Sequence, residues 1–154
     1  MITVYGALGS GSVPVEAAMT LAGVDYTVVE GATWEHDAAV LERVRRVNPL
    51  VQIPAVVLES GEILTESGAI LTWLADRHPE ARLGPPVGHP LRGQFLRWMT
   101  YIPASIYSMF WVRDEPGRLA GPDPEAQARV KAATAERIAD CWRMMDRQIV
   151  PAGD

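Results

Sequence analysis

Cysteine is almost missing from this chain: Cys141 is the single thiol in 154 residues. One cysteine excludes an internal disulfide, a CxxC redox pair and a cysteine-based zinc site, and it suits a reducing cytoplasm. No apolar run approaches the length of a membrane span, and the start of the chain shows no secretory leader pattern. No cluster of Lys or Arg offsets a net charge of −5, so neither nucleic acid nor an anionic membrane is an expected partner. His36, His78 and His89 have no metal-ligand spacing, and no metal is expected. Gly6, Gly9 and Gly11 do not make GxGxxG, no GK[ST] follows them, and Glu30 alone does not restore a dinucleotide reading. Internal repeats and low-complexity tracts are absent too.

What remains is the composition of a packed protein, with 48% hydrophobic and 21% charged residues. Ile2-Thr3-Val4-Tyr5 is rich in β-branched residues and reads as a first strand. A glycine- and serine-rich loop leads into a helix from about Val13 to Ala22, with Pro14 in its first turn and Gly23 closing it. Asp25 to Glu30 is a second strand, and the right-handed crossover makes the two strands parallel. A second helix is predicted from about Trp34 to Val47, ended by Asn48-Pro49. Ala55 to Leu58, a polar turn at Gly61, and a return strand from Ile63 form a hairpin. A third helix follows, with Ile70, Leu71, Leu74 and Ala75 on one face.

Residues 79–90 hold four prolines and two glycines and read as a linker between a domain at 1–78 and a helical one at 91–154. A long helix is expected from about Leu91 to Val112, bent or loosened at Pro103. Arg113 to Pro122 is expected to be a loop. Asp123-Pro124-Glu125 then opens a last helix reaching about Val150, with Ala135, Ile138, Cys141 or Trp142, and Met145 inward.

Two features in the middle of the chain suggest ligand chemistry. A proline at a strand start, as in Ile53-Pro54, costs no ladder bond. If that bond is cis, Ile53 turns its N–H and C=O outward, open to an extended peptide. Glu66-Ser67 stands at a helix start, where free N–H groups and the dipole favour a carboxylate. Ser67 adds a hydroxyl, and Glu66 can pair with an ammonium. Taken singly, the first is a strand-start proline and the second a helix cap. Together they suit a ligand carrying both amine and carboxylate, such as the γ-glutamyl end of glutathione.

The segments NPLVQIPAVVL and ILTESGAILTWLADRHP resemble the glutathione-binding half of a glutathione S-transferase. The resemblance runs from Met1 to about Leu83 and continues more loosely to the end. It implies a thioredoxin-like N-terminal domain (βαβ-α-ββα), then an all-α C-terminal domain that is incomplete here, since a full member continues through further helices. Large apolar residues such as Trp98, Phe110, Trp111 and Trp142 would then lack cover, which a partner chain would supply, a truncated, cleaved or degenerate chain being the alternative; a homodimer is expected. By the resemblance, glutathione is the co-substrate, no metal is needed, and Gln52, Ile53, Pro54, Glu66, Ser67 and His36 or Trp34 contact it.

Members of the family activate the thiol with a hydroxyl or thiol near the end of the first strand. A free thiol has a pKa of about 8.5 and reacts as thiolate. Each unit of lowering needs roughly 1.4 kcal/mol of preferential thiolate stabilisation. Ser10 leads the candidates, Ser12 follows closely and Tyr5 comes third; Ser12 as a helix cap and Tyr5 as a packed residue are the alternatives. A disulfide reductase is disfavoured because the loop holds no cysteine. The second substrate is expected to be an apolar electrophile, held by Tyr101, Ser105, Tyr107, Met109 and Trp111, although an aromatic stripe at helical spacing also describes a core. His89 and Cys141 read as structural. The implied activity is glutathione conjugation in a cytoplasmic detoxification enzyme; a non-catalytic binding module and a glutathione-dependent isomerase are the alternatives.

Overall fold

A computed structural model describes residues 1–149 and divides them into two compact units, Met1–Thr100 and a second from Tyr101 onward. The first unit is built on a four-stranded sheet of order β2-β1-β3-β4. Its strands are β1 (Ile2–Gly6), β2 (Tyr26–Glu30), β3 (Ala55–Val57) and β4 (Ile63–Thr65). β1 and β2 are parallel, whereas β3 runs antiparallel to both β1 and β4. This mixed sheet with its helices is the thioredoxin-like layout that the sequence implied.

Helices α1 (Val13–Leu21) and α3 (Ser67–Arg77) pack together on one face of the sheet. Val4 and Val56 from the sheet meet Val15, Met19, Ile70 and Leu74 there, all fully buried. Burying one such side chain stabilises the fold by roughly 1.5–3 kcal/mol. α1 ends in a Schellman motif: the N–H of Gly23 donates to Thr20 and that of Val24 to Met19. Gly23 supplies the left-handed residue at φ 64°.

The helix expected over Trp34 to Val47 is shorter. Thr33–Glu35 forms one 3₁₀ turn, His36 is left-handed at φ 57°, and α2 spans Ala38–Arg45. The break is set by Asp37, whose carboxylate accepts from the N–H groups of Ala39 and Val40 at 2.8 and 3.0 Å. That cap satisfies α2 better than a run-through from Trp34 would. A second 3₁₀ turn, Pro79–Ala81, follows α3, and α4 is Arg92–Tyr101. Arg92 ties α4 to the first unit, donating to Asp76 at 2.9 Å and to the Pro85 carbonyl at 3.0 Å.

In the second unit the single helix expected up to Val112 gives way at Pro103. Ile102–Tyr107 is a π-helical segment, and α5 is Ser108–Asp114. A proline cannot donate its missing N–H, and a widened turn accommodates the gap. The expected loop at 113–122 contains a short helix, α6 (Gly117–Ala120). α7 (Pro124–Ile149) starts as expected, with Asp123 accepting from the Glu125 N–H at 3.0 Å. Ile138, Cys141 and Met145 are buried, while Ala135 and Trp142 are exposed, so of the last pair it is Cys141 that faces inward. The expectation for 150 lies outside the described residues.

Three glycines are closely approached, one of them Gly84, where a Cβ would stand 2.6 Å from the Phe95 ring. A Cβ on Gly6 would stand 2.3 Å from Ser12 Oγ and 2.5 Å from its Cβ, and one on Gly31 would stand 3.0 Å from Ile53 Cγ2. Gly6→Ala is therefore expected to cost about 1–3 kcal/mol, read as a lower denaturant midpoint at unchanged slope. An unchanged midpoint would show that the loop gives way freely. Asp37→Ala should cost about 1 kcal/mol in the same assay through loss of the α2 cap.

Candidate functional site

The strand directions bring four chain segments to one end of the sheet. Tyr5 pairs with Ala55, and Ala55 pairs with Thr65, so the end of β1, the start of β3 and the end of β4 lie side by side. The end of β2 joins them, because Gly6 pairs with Glu30 in the parallel ladder. The loop carrying Ser10 and Ser12, the Gly31 turn, Ile53-Pro54 and Glu66-Ser67 all emerge there. Direct packing closes the group: the Gly31 N–H donates to the Gly6 carbonyl at 2.9 Å, and Gly31 abuts Ile53.

The two serine hydroxyls are bonded to each other, Oγ to Oγ, at 2.9 Å. Ser12 is fully buried and Ser10 partly exposed. Ser12 Oγ donates to Glu16 Oε1 at 2.6 Å and accepts from the Ala7 N–H at 3.1 Å. Ser10 Oγ accepts from the Ser12 N–H at 3.1 Å. The Ser12 side chain does not cap α1; its backbone carbonyl accepts the Glu16 N–H instead. Tyr5 alternates with Val4 and Gly6 along β1, so its ring lies on the sheet face opposite α1 and away from the serine pair.

The Ile53-Pro54 bond is cis. Among the described residues, the Ile53 N–H and C=O have no hydrogen-bond partner. The loop before it is held by buried Asn48, whose Oδ1 accepts from Leu50 N–H at 3.1 Å and whose Nδ2 donates to the Gln52 carbonyl at 2.9 Å. The Asn48 carbonyl also accepts from Val51 N–H at 2.8 Å. These bonds hold Val51 at φ 55°, a region that a β-branched residue rarely enters. Gln52 itself is exposed.

Glu66 precedes α3 with φ 65°, a second strained residue at the same end of the sheet. Its carboxylate caps nothing, and Ser67 Oγ has no partner among the described residues. The first N–H groups of an 11-residue helix are thus open beside a free carboxylate and a free hydroxyl. Such a set can accept an ammonium and donate to a carboxylate.

His36 and Trp34 are both exposed in the turn after β2, at this end of the sheet. The proposed second-substrate residues lie in the second unit: Tyr101 closes α4, Ser105 and Tyr107 are π-helical, and Met109 and Trp111 belong to α5. The Ser105 carbonyl accepts from the Cys141 thiol at 3.7 Å, and the Arg118 guanidinium sits 4.4 Å over the Trp111 ring. The Tyr107 ring packs against Phe110 at 5.8 Å, and burial raises the pKa of its phenol. His89 accepts from the Leu91 N–H, as a turn residue would. Among the described residues no three His, Cys, Asp or Glu side chains gather as a metal-ligand set, and no helix is long and apolar enough to cross a membrane.

Sequence reasoning missed Glu16, Asn48, Gly31 and Val51. For Glu16 a signal existed: it stands four residues after Ser12, one helical turn on the same face.

The comparisons with known proteins agree with this geometry. Residues 12–77 match the family model described as glutathione S-transferase, N-terminal domain. An uncharacterized GST-like protein of Escherichia coli K12, YncG, is 40% identical over 125 residues, which are 81% of this chain and 60% of that protein. This chain thus spans about 60% of that relative's length. Among solved structures, a Sulfitobacter glutathione transferase homolog with bound glutathione gives a TM-score of 0.82 at 25% identity, covering 99% of this chain and 72% of that one. A sphingomonad glutathione S-transferase complexed with glutathione gives 0.77 at 28% identity, covering 97% and 70%. The mixed sheet, the cis-proline edge and the match over residues 12–77 lead to one conclusion: this chain is similar to glutathione S-transferases, and residues 12–77 match their N-terminal domain.

Proposed function

We propose that this chain binds glutathione at the shared end of its sheet and conjugates it, through its thiolate sulfur, to an apolar electrophile. The observation that carries this reading is the open backbone edge of Ile53 beside the unpartnered Glu66 and Ser67. In this pose the peptide backbone of glutathione pairs with Ile53 as a short added strand. Its γ-glutamyl carboxylate takes the N–H groups of α3 and the Ser67 hydroxyl, and its ammonium pairs with Glu66. Gln52 and His36 flank the other end of the tripeptide, and Pro54 shapes the edge. The thiol then reaches the β1 loop, where Ser10 is the partly exposed hydroxyl. Two relatives of known structure hold glutathione, which supports the choice of ligand.

Catalysis would consist of holding the sulfur against the electrophile and stabilising the charge it develops. The second substrate, by this reading, meets residues of the second unit among Tyr101, Ser105, Tyr107, Met109 and Trp111. A domain division with its linker at 79–90, a cytoplasmic setting and a homodimer complete the proposal. Trp111 and Trp142, each nearly half exposed, favour a partner over this second unit.

Titration calorimetry tests the binding pose. Ser67→Ala and Glu66→Gln should each weaken glutathione about tenfold, the loss of roughly 1.4 kcal/mol that one charge-assisted hydrogen bond supplies. Absence of heat with the folded wild-type chain would overturn the assignment. Ser10→Ala should lower the initial rate with a chloronitrobenzene-type electrophile by at least tenfold while leaving glutathione affinity intact, and an unchanged rate would remove Ser10 from the chemistry.

A further inference from the structure

α1 has the make-up of an interior helix. Glu16 and Thr20 are the only polar residues in it, and a helix that is apolar on nearly every side is normally buried. Its inner face is: Val15, Ala18 and Met19 pack into the core of the first unit. Its outer face is open, with Ala17 exposed and Leu21 73% exposed. Along that face runs an apolar groove of about 260 Å³. Pro14, Ala17, Ala18 and Leu21 form one wall. Spacings of three and four residues make them a continuous ridge about two turns long. Phe95 and Met99, four residues apart on α4, form another wall, and α3 and the linker close the rest. All of it lies within the first unit. The α4 wall is held in place, because the Phe95 ring lies against Gly84 and the Arg92 guanidinium sits 4.9 Å over it.

The lining decides what fits. Its side chains offer no hydrogen bond, so an extended peptide would strand its own backbone groups there, whereas a helix satisfies its own. A small-molecule pocket encloses roughly 70–90% of its ligand, and here the α1 side stays open to water. An apolar cavity of about 150 Å³ takes one benzene ring, so this groove takes about two apolar side chains. Walls at helical spacing are what receive the ridge of another helix. We propose that the groove seats an amphipathic helix, of the kind carried by the part of the longer relatives that has no counterpart here. The Sulfitobacter homolog has chain to spare for one: nearly all of this chain corresponds to 72% of it, so more than a quarter of that protein lies outside the correspondence. The seated helix lays two large apolar side chains, three or four residues apart, between α1 and α4 and turns its polar face outward. This inference goes beyond the glutathione reading and does not depend on it.

The test appends to this chain, through a flexible Gly/Ser linker, the portion of the Escherichia coli relative that lies outside the 125 matched residues. Thermal melts and amide hydrogen exchange then compare the chain with and without the extension. The extension is expected to raise the melting temperature by about 5 °C and to slow exchange in α1 and α4 at least tenfold. Ala17→Glu sets a charge on the exposed wall of the groove. It should erase both gains while leaving the melt of the unextended chain unchanged. Should that variant fail to fold, Leu21→Lys makes the same comparison, since Leu21 is largely exposed. No gain, or a gain that both variants leave intact, would overturn the proposal. A dimer of the unextended chain that Ala17→Glu splits in sedimentation would overturn it in favour of a second copy. Slowed exchange in α1 with a chloronitrobenzene-type electrophile, and none with the extension, would overturn it in favour of a small molecule. Calorimetry with glutathione on the same proteins reads the other proposal separately, because no groove residue belongs to that pose.

Discussion

The antiparallel seam between β1 and β3 is the constraint on which the site depends. β1 and β2 run together, as a helical crossover requires, and β3 runs against them before β4 returns to their sense. Without that reversal, Ile53 and the β1 loop would emerge at opposite ends. With it, two helix starts, a cis-proline edge and a serine-bearing loop share one rim. The pairing of Tyr5 with Ala55 and of Ala55 with Thr65 sets the register, and a slip of one residue would turn Val4 and Val56 out of the core. Burial of those two valines is therefore what fixes the alignment of the rim.

Much of this was legible in the sequence because the signals are local. The β-branched runs at Ile2–Tyr5 and Ala55–Val57 are short and bounded by turn residues, so strands follow with little ambiguity. Pro54 marks a strand start and Asp123 marks a helix start through chemistry that any neighbour would see. The α2 region was harder. Trp34, Ala38, Leu41 and Val44 sit at helical spacing, and the stripe hid the cap at Asp37 and the left-handed residue at His36. Pattern reports a shared face; it does not report where the backbone leaves the helix.

The site was legible in part for a similar reason. Ile53, Glu66 and Ser67 belong to a contiguous motif, whereas Glu16 gains its meaning only from the burial of Ser12. The sequence places the two one turn apart, but burial decides that the hydroxyl must donate inward. The positive φ values of Val51 and Glu66 were equally out of reach. Neither is a residue type that invites such a conformation, and Val51 is held there by the Asn48 hydrogen bonds of its own loop.

The amide of Asn48 stitches the loop under Ile53 by using both of its ends, the oxygen toward Leu50 and the nitrogen toward Gln52. An aspartate in its place would accept but not donate, and would bring a charge into a buried position. Conversion of asparagine to aspartate with age usually begins with attack by the next backbone nitrogen. Here the next residue is Pro49, whose nitrogen carries no hydrogen. The stitch is thus protected by its neighbour from the slow chemistry that would unpick it.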